Sequence, residues 1–189
     1  ARQCDDLGLY GKLAEYVGRA QVLASAFPES DPQRIDLLRN EAALLLRKGQ
    51  IAEAFEKAQT AQTLAHAELE PTNADRLRVD FLVAQLLVRL GRLDQAEAAN
   101  REVLESRRSN LGVYSLDVIE SHIQLAAIHD LLSDDDTAYI HLRNARNISR
   151  VLLGDDSSLT LYLSATASEC AVGRAAGSQM RVDESEWAL

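Results

Sequence analysis

Between residues 31 and 47 the apolar side chains Ile35, Leu38, Ala42 and Leu45 recur at intervals of three, four and three. That spacing sets them along one stripe of an α-helix. Asp31 is placed to cap this helix and Pro32 suits its first turn. Gly49 follows the last apolar position, where a residue without a β-carbon ends a helix at no steric cost. A second helical stripe runs from about residue 51 to residue 67, with Ala54, Ala58, Ala61 and Leu64 on one face. Small alanines there let two helices approach closely. Neither helix buries its stripe alone, so the two form a hairpin and each hairpin packs on the next.

The same pattern returns along the chain. Arg47-Lys48-Gly49-Gln50-Ile51-Ala52-Glu53-Ala54 matches Arg89-Leu90-Gly91-Arg92-Leu93-Asp94-Gln95-Ala96, 42 residues on. Stepping by that interval aligns Ile35, Leu77, Ile119 and Leu161 in one column, and Ala42, Ala84, Ala126 and Ser168 in another. Ala54, Ala96 and Ala138 form a third column, while Leu69, Leu111 and Leu153 close successive repeats. An N-terminal copy steps by 41 instead: Gly8 precedes Gly49, and Ala20-Gln21-Val22-Leu23-Ala24-Ser25-Ala26 matches Ala61-Gln62-Thr63-Leu64-Ala65-His66-Ala67. The pattern predicts an array over residues 1–177. It comprises a partial hairpin at 1–26, full hairpins at 31–69, 73–111 and 115–153, and a last helix at 157–172. Gly173 and Gly177 then break the pattern, and residues 178–189 form a tail or capping helix.

A period of about 40 residues suits several helical-repeat types. Gly49 followed five residues later by Ala54, and Gly91 by Ala96, resemble the turn and second helix of a tetratricopeptide repeat. The joins Leu111-Gly112-Val113-Tyr114-Ser115-Leu116-Asp117-Val118 and Leu153-Gly154-Asp155-Asp156-Ser157-Ser158-Leu159-Thr160 resemble the long-period kinesin light chain-like variety, which also occurs in bacterial regulators. That family favours His-Pro after the Leu-Gly, where this chain has Ser115-Leu116 and Ser157-Ser158. The resemblance implies an all-α, α-α superhelix: a solenoid of antiparallel hairpins whose first helices line a concave groove for an extended peptide or a partner helix.

Composition agrees with helices. The 189 residues are 47% hydrophobic but only 5% aromatic, with 9 Gly and 3 Pro, too few strand and turn formers for a β-sandwich or barrel. Twenty Lys and Arg against 29 Asp and Glu leave a net charge of −9, a surface that repels nucleic acid and anionic membranes. That sign, with the repeat length, also disfavours RNA binding of the pentatricopeptide kind. Cys4 and Cys170 make neither a disulfide framework nor a metal spacing, and no stretch reaches transmembrane length, so a reducing, cytoplasmic setting is expected. The chain opens at Ala1 rather than Met, inside a repeat, and reads as a fragment of a longer protein.

Chemistry-bearing residues are sparse. No phosphate loop, cysteine pair or nucleophile elbow occurs, so no cofactor and no catalytic residue is expected. His122 and His129 stand seven apart on one helix and His141 lies on the next, which permits an alternative reading as a metal-binding or hydrolytic protein. His129 shares a column with Leu45 and Leu87, however, which favours histidines buried at a helix seam. His122 aligns with Asp80 and Ser164, a column of polar residues able to hydrogen bond between repeats but lacking the strained turn of a nucleophile. Asp134-Asp135-Asp136 and Asp155-Asp156 precede helices and read as caps.

The resemblance also implies a site. In that family an Asn two residues before the Ala42 column grips the ligand backbone; the matching positions here are Asn40, Leu82, Gln124 and Thr166. With Arg39, Arg47, Arg78, Phe81, Gln85 and Arg89 on the same first helices, Asn40 and Gln124 make up the expected groove. The arginines oppose the sign of the whole chain and would attract an acidic segment, with Phe81 as apolar anchor. The plainer alternative is that the arginines are hydrated and Phe81 packs inside. The function expected is non-catalytic: a protein-interaction module within a larger regulator or scaffold, binding a protein or peptide.

Overall fold

The computed structural model describes residues 15, 18 and 33–186, with side chains as far as residue 172. Seven helices occur among them, and no strand: α1 (Gln33–Arg47), α2 (Ile51–Glu68), α3 (Ala74–Arg89), α4 (Leu93–Leu111), α5 (Leu116–Leu131), α6 (Asp135–Leu153) and α7 (Ser158–Glu186). The starts of α3, α5 and α7 step by 42 residues, and so do those of α2, α4 and α6. Asp31, Pro32 and most of the hairpin expected at 1–26 lie outside the described residues, as do Trp187 and Leu189.

Local chemistry sets the helix ends. Gly49 and Gly91 take positive φ of 78° and 72°, and the amides beyond them close back on the helix: Gln50 N donates to Leu45 O at 3.0 Å and Arg92 N to Leu87 O at 2.9 Å. Ser133 fills the third copy of this turn at φ 58°, with Asp134 N donating to His129 O at 2.8 Å. A serine there carries the cost of a left-handed conformation that glycine avoids. First helices begin at side-chain caps 42 residues apart. Asn73 Oδ1 accepts from Asp75 N at 2.8 Å, Ser115 Oγ from Val118 N at 3.2 Å, and Ser157 Oγ from Thr160 N at 3.1 Å.

The chain divides within α4 into two compact units, residues 1–99 and 100–189. In the first, α1 packs on α2 and α3, and α2 on α3. Its core joins Ile35 and Leu38 of α1 to Ala61 and Ala65 of α2 and Val79 of α3. The alanine columns form the seams: Ala42, Ala54, Ala58, Ala84 and Ala96 have no exposed surface. In the second unit α6 packs on both α5 and α7. Val118, Ile119, Leu125 and Ala126 of α5 meet Leu142, Ala145 and Ile148 of α6 and Leu163 and Ala167 of α7. Enclosing an Ile or Leu in this way stabilises by roughly 1.5–3 kcal/mol.

The last helix departs from expectation in two ways. It runs unbroken through Gly173 and Gly177 to Glu186, rather than ending at residue 172. A glycine inside a helix costs only about 1 kcal/mol against alanine, too little to end it without a competing turn. The buried stripe of α7 is also Thr160, Leu163 and Ala167, while Leu161 is 57% exposed and Ser168 is exposed. Ile35 and Ile119 of that column are enclosed in clusters that include the second helices of their own hairpins, α2 and α6, whereas Leu161 belongs to no such cluster among the described residues.

Candidate interaction surface

The first helices of residues 33–99 carry six of the eight expected groove residues at accessible positions. Arg39 Nη2 lies 2.9 Å from Asp36 Oδ1 and 3.5 Å from Asn40 Oδ1, joining Arg39 and Asn40 on α1. Arg78 on α3 is exposed and ion-paired with Asp75 at 2.6 Å. Arg47 and Arg89 are exposed at the ends of their helices, where a cation also complements the helix dipole. Gln85 is half-buried. Phe81 corrects the expectation: it is only 9% exposed, so it packs inside and is not presented as an anchor. The helical period places Phe81 on a shared face, but α3 buries residues on more than one face, Val79 and Leu82 among them.

Gln124, in the second unit, is likewise buried at 8% exposure, and neither amide atom has a hydrogen-bond partner among the described residues. It occupies the position that Leu82 fills one repeat earlier, and both are buried. A buried set that the sequence did not reveal lies in the same unit. Arg107 of α4, 3% exposed, donates to Asp117 O at 2.7 Å and to Ser121 Oγ at 2.9 Å. Asn100 Nδ2 donates to Ser121 O at 2.9 Å. The guanidinium also lies 3.8 Å from Glu120, whose pKa burial nonetheless raises. The available signal was the column Ala65, Arg107 and Ser149, where a cation stands opposite a fully buried alanine.

The three histidines do converge. The Nδ1 atoms of His122 and His141 are 2.9 Å apart, and the rings of His129 and His141 stack with centroids 5.7 Å apart. His122 and His129 are buried, at 6% and 5% exposure, as the seam reading expects. Burial lowers the His122 pKa to about 4, helped by the Arg108 cation and opposed by Glu105. Neutral imidazoles can share a hydrogen in this way; doubly protonated ones cannot. Among the described residues no three His, Cys, Asp or Glu side chains are placed to hold a metal ion.

Within their own units, Asp80, His122 and Ser164 each have partners outside the column they share. Asp80 Oδ1 is taken by Gln62 and His66, each at 2.8 Å, and Ser164 Oγ donates to Thr160 O at 2.7 Å. Asp134 caps α6 as expected, accepting from Thr137 N at 3.2 Å; hydrogen bonds from the Thr137 side chain and then its amide, with His129 beside them, lower its pKa. Asp155 instead pairs with Arg150 at 3.4 Å, leaving the cap of α7 to Ser157.

No family model and no curated protein matches the sequence. Solved structures do match in fold. A putative kinesin light chain of Podosopora anserina with nearly identical TPR-like repeats superposes with a TM-score of 0.74 at 16% identity, over 96% of this chain and 88% of that one. BtubC from P. vanneervenii gives 0.68 at 20% identity, over 87% of this chain and 65% of that one. A Rap protein complexed with competence and sporulation factor gives 0.70 at 13% identity, over 87% and 44%. The chain thus spans about two thirds of BtubC and less than half of the Rap protein. It has the all-α fold of tetratricopeptide-like helical repeats, and none of its described helices is long and apolar enough to cross a membrane.

Proposed function

We propose that this chain is a protein-interaction module with no chemical step of its own, the tetratricopeptide region of a larger cytoplasmic regulator or scaffold, of the 42-residue kinesin light chain-like variety. Repetition carries the reading. Caps at Asn73, Ser115 and Ser157 and turns at Gly49, Gly91 and Ser133 present equivalent first helices at each step. Within either unit, a peptide or partner helix laid on its two first helices meets like positions in succession. The Rap protein, similar in fold and bound to a competence and sporulation factor, supports a peptide or protein ligand.

Within residues 33–99 the binding face comprises Arg39, Asn40, Arg47, Arg78, Gln85 and Arg89. An acidic segment would have to displace Asp36 from Arg39 and Asp75 from Arg78, so each exposed exchange is worth only about 0.2–1 kcal/mol. Short random peptides displayed in a library and selected on the chain test the reading. Enriched peptides that lose binding to Arg39→Glu/Arg78→Glu/Arg89→Glu, with helical content unchanged, support this face; a library that yields no binder to the chain overturns the module.

The one second reading is a metal-binding or hydrolytic protein using the region of His122, His129 and His141, whose rings meet although no three such side chains among the described residues are placed to hold an ion. Stoichiometric zinc, nickel or iron in untagged purified protein would promote it. Metal-free protein would leave the three rings as a packed seam.

A further inference from the structure

We propose that the hollow between α5, α6 and α7 is a docking site for a basic peptide segment in which an apolar side chain stands beside a lysine or arginine. The proposal rests on the interaction-module reading and names a partner chemistry that the arginine face does not predict. The hollow has a volume of about 410 Å³, within the range of small-ligand and side-chain pockets. Its floor is apolar: Ala126, Leu142 and Leu163 are 3%, 8% and 0% exposed. Tyr162 of α7 lines one side and is 61% exposed.

Charge decides the occupant. Asp130, Asp135 and Glu169 stand around the floor, and no Lys or Arg is among the lining residues. No ion pair among the described residues engages any of these three carboxylates, in contrast to Arg39 and Arg78, which are already paired. The carboxylates are not a metal site, since no trio of such groups among the described residues is placed to hold an ion. They surround an apolar floor instead. An incoming Leu, Ile or Met side chain would displace water from the floor, while an adjacent cation would meet the carboxylates and the face of Tyr162. An acidic segment would be repelled by the same rim.

Glu169 stands 34 residues beyond Asp135 in the chain, so the sequence alone does not bring it beside Asp130 and Asp135. Asp130 ends one first helix, Asp135 begins a second helix, and Glu169 lies on the next first helix. Exposed large apolar side chains follow the same distribution. They occur between Leu111 and Val172 and at none of residues 33–110.

The same displayed library tests the site. Among the enriched peptides, those that keep binding to Arg39→Glu/Arg78→Glu/Arg89→Glu are expected to share an apolar residue flanked by Lys or Arg. A synthetic copy of the strongest should lose about tenfold or more in affinity to Asp130→Lys/Glu169→Lys, and should bind more weakly as salt is raised. Both substituted residues are exposed, so an unchanged circular dichroism spectrum would show the fold intact. Ala127→Trp, at an exposed position of the lining, should block binding by bulk alone. A library without basic winners, or basic winners indifferent to the double charge reversal, overturns the site. If every winner is lost to Arg39→Glu/Arg78→Glu/Arg89→Glu and none to Asp130→Lys/Glu169→Lys, the hollow is removed and the module stands. A library with no winners would remove both.

Discussion

His122 and His141 meet through their Nδ1 atoms at 2.9 Å, so one ring must donate and the other accept. The contact is between α5 and α6 and holds two imidazoles that the sequence separates by 19 residues. Because a proton on both rings would break the contact, it ties the stability of this hairpin to pH.

The direction follows from the depressed pKa of His122, about 4 in the fold against 6.5 when exposed. Between those values the unfolded chain binds the proton and the folded one does not. Stability is therefore present above pH 6.5 and drains away as pH falls toward 4, by about 1–3 kcal/mol. Denaturant titrations across that range measure the loss. His122→Asn should flatten the slope; a slope unchanged by the substitution would assign it to other groups.

Ser133→Gly should stabilise the protein. Ser133 holds φ 58° where the two earlier turns have glycine. Relief of the left-handed cost, less the greater freedom of glycine in the unfolded chain, leaves a gain of about 0.5–1 kcal/mol. Thermal melts would show it as a raised midpoint, and Gly91→Ser should lower the midpoint for the mirror reason.

Overfilling the seams should be costly. Ala84 and Ala126 are 0% and 3% exposed, and a leucine at either site has to push helices apart. Each of Ala84→Leu and Ala126→Leu should destabilise by about 1–3 kcal/mol. Ala98→Leu, at an exposed position of α4, is the control and should change little. Equal melts for all three would mean that the seam lies elsewhere.

Gln124→Leu restores the residue type found at Leu82. The buried Gln124 amide has no hydrogen-bond partner among the described residues, so removing it should stabilise by about 1–2 kcal/mol. A destabilised variant would indicate that water or a ligand satisfies the amide.

The helical stripes, the 42-residue step and the positions of the turns were legible because they are local. Ile35, Leu38 and Ala42 share a face whatever they pack against, Gly49 and Gly91 end helices through their own backbone freedom, and Asn73 and Ser115 cap with their own side chains. The alanine seams were legible for a related reason: a column of small residues at one period has a purpose only where helices touch.

Tertiary packing decided the rest. A helix in an array has two or more contacting faces, so period alone could not say that Phe81 and Gln124 would be enclosed while Leu161 would stand in solvent. Polar partners were chosen by proximity across helices rather than by column, which gave Asp80 to His66 and His122 to His141. Asp130, Asp135 and Glu169 became one acidic rim by the same means, each ordinary on its own helix and together only because α5, α6 and α7 pack around one floor. Local rules act over a few residues of chain, whereas a site is assembled from surfaces, and which surfaces meet is set by how the helices pack.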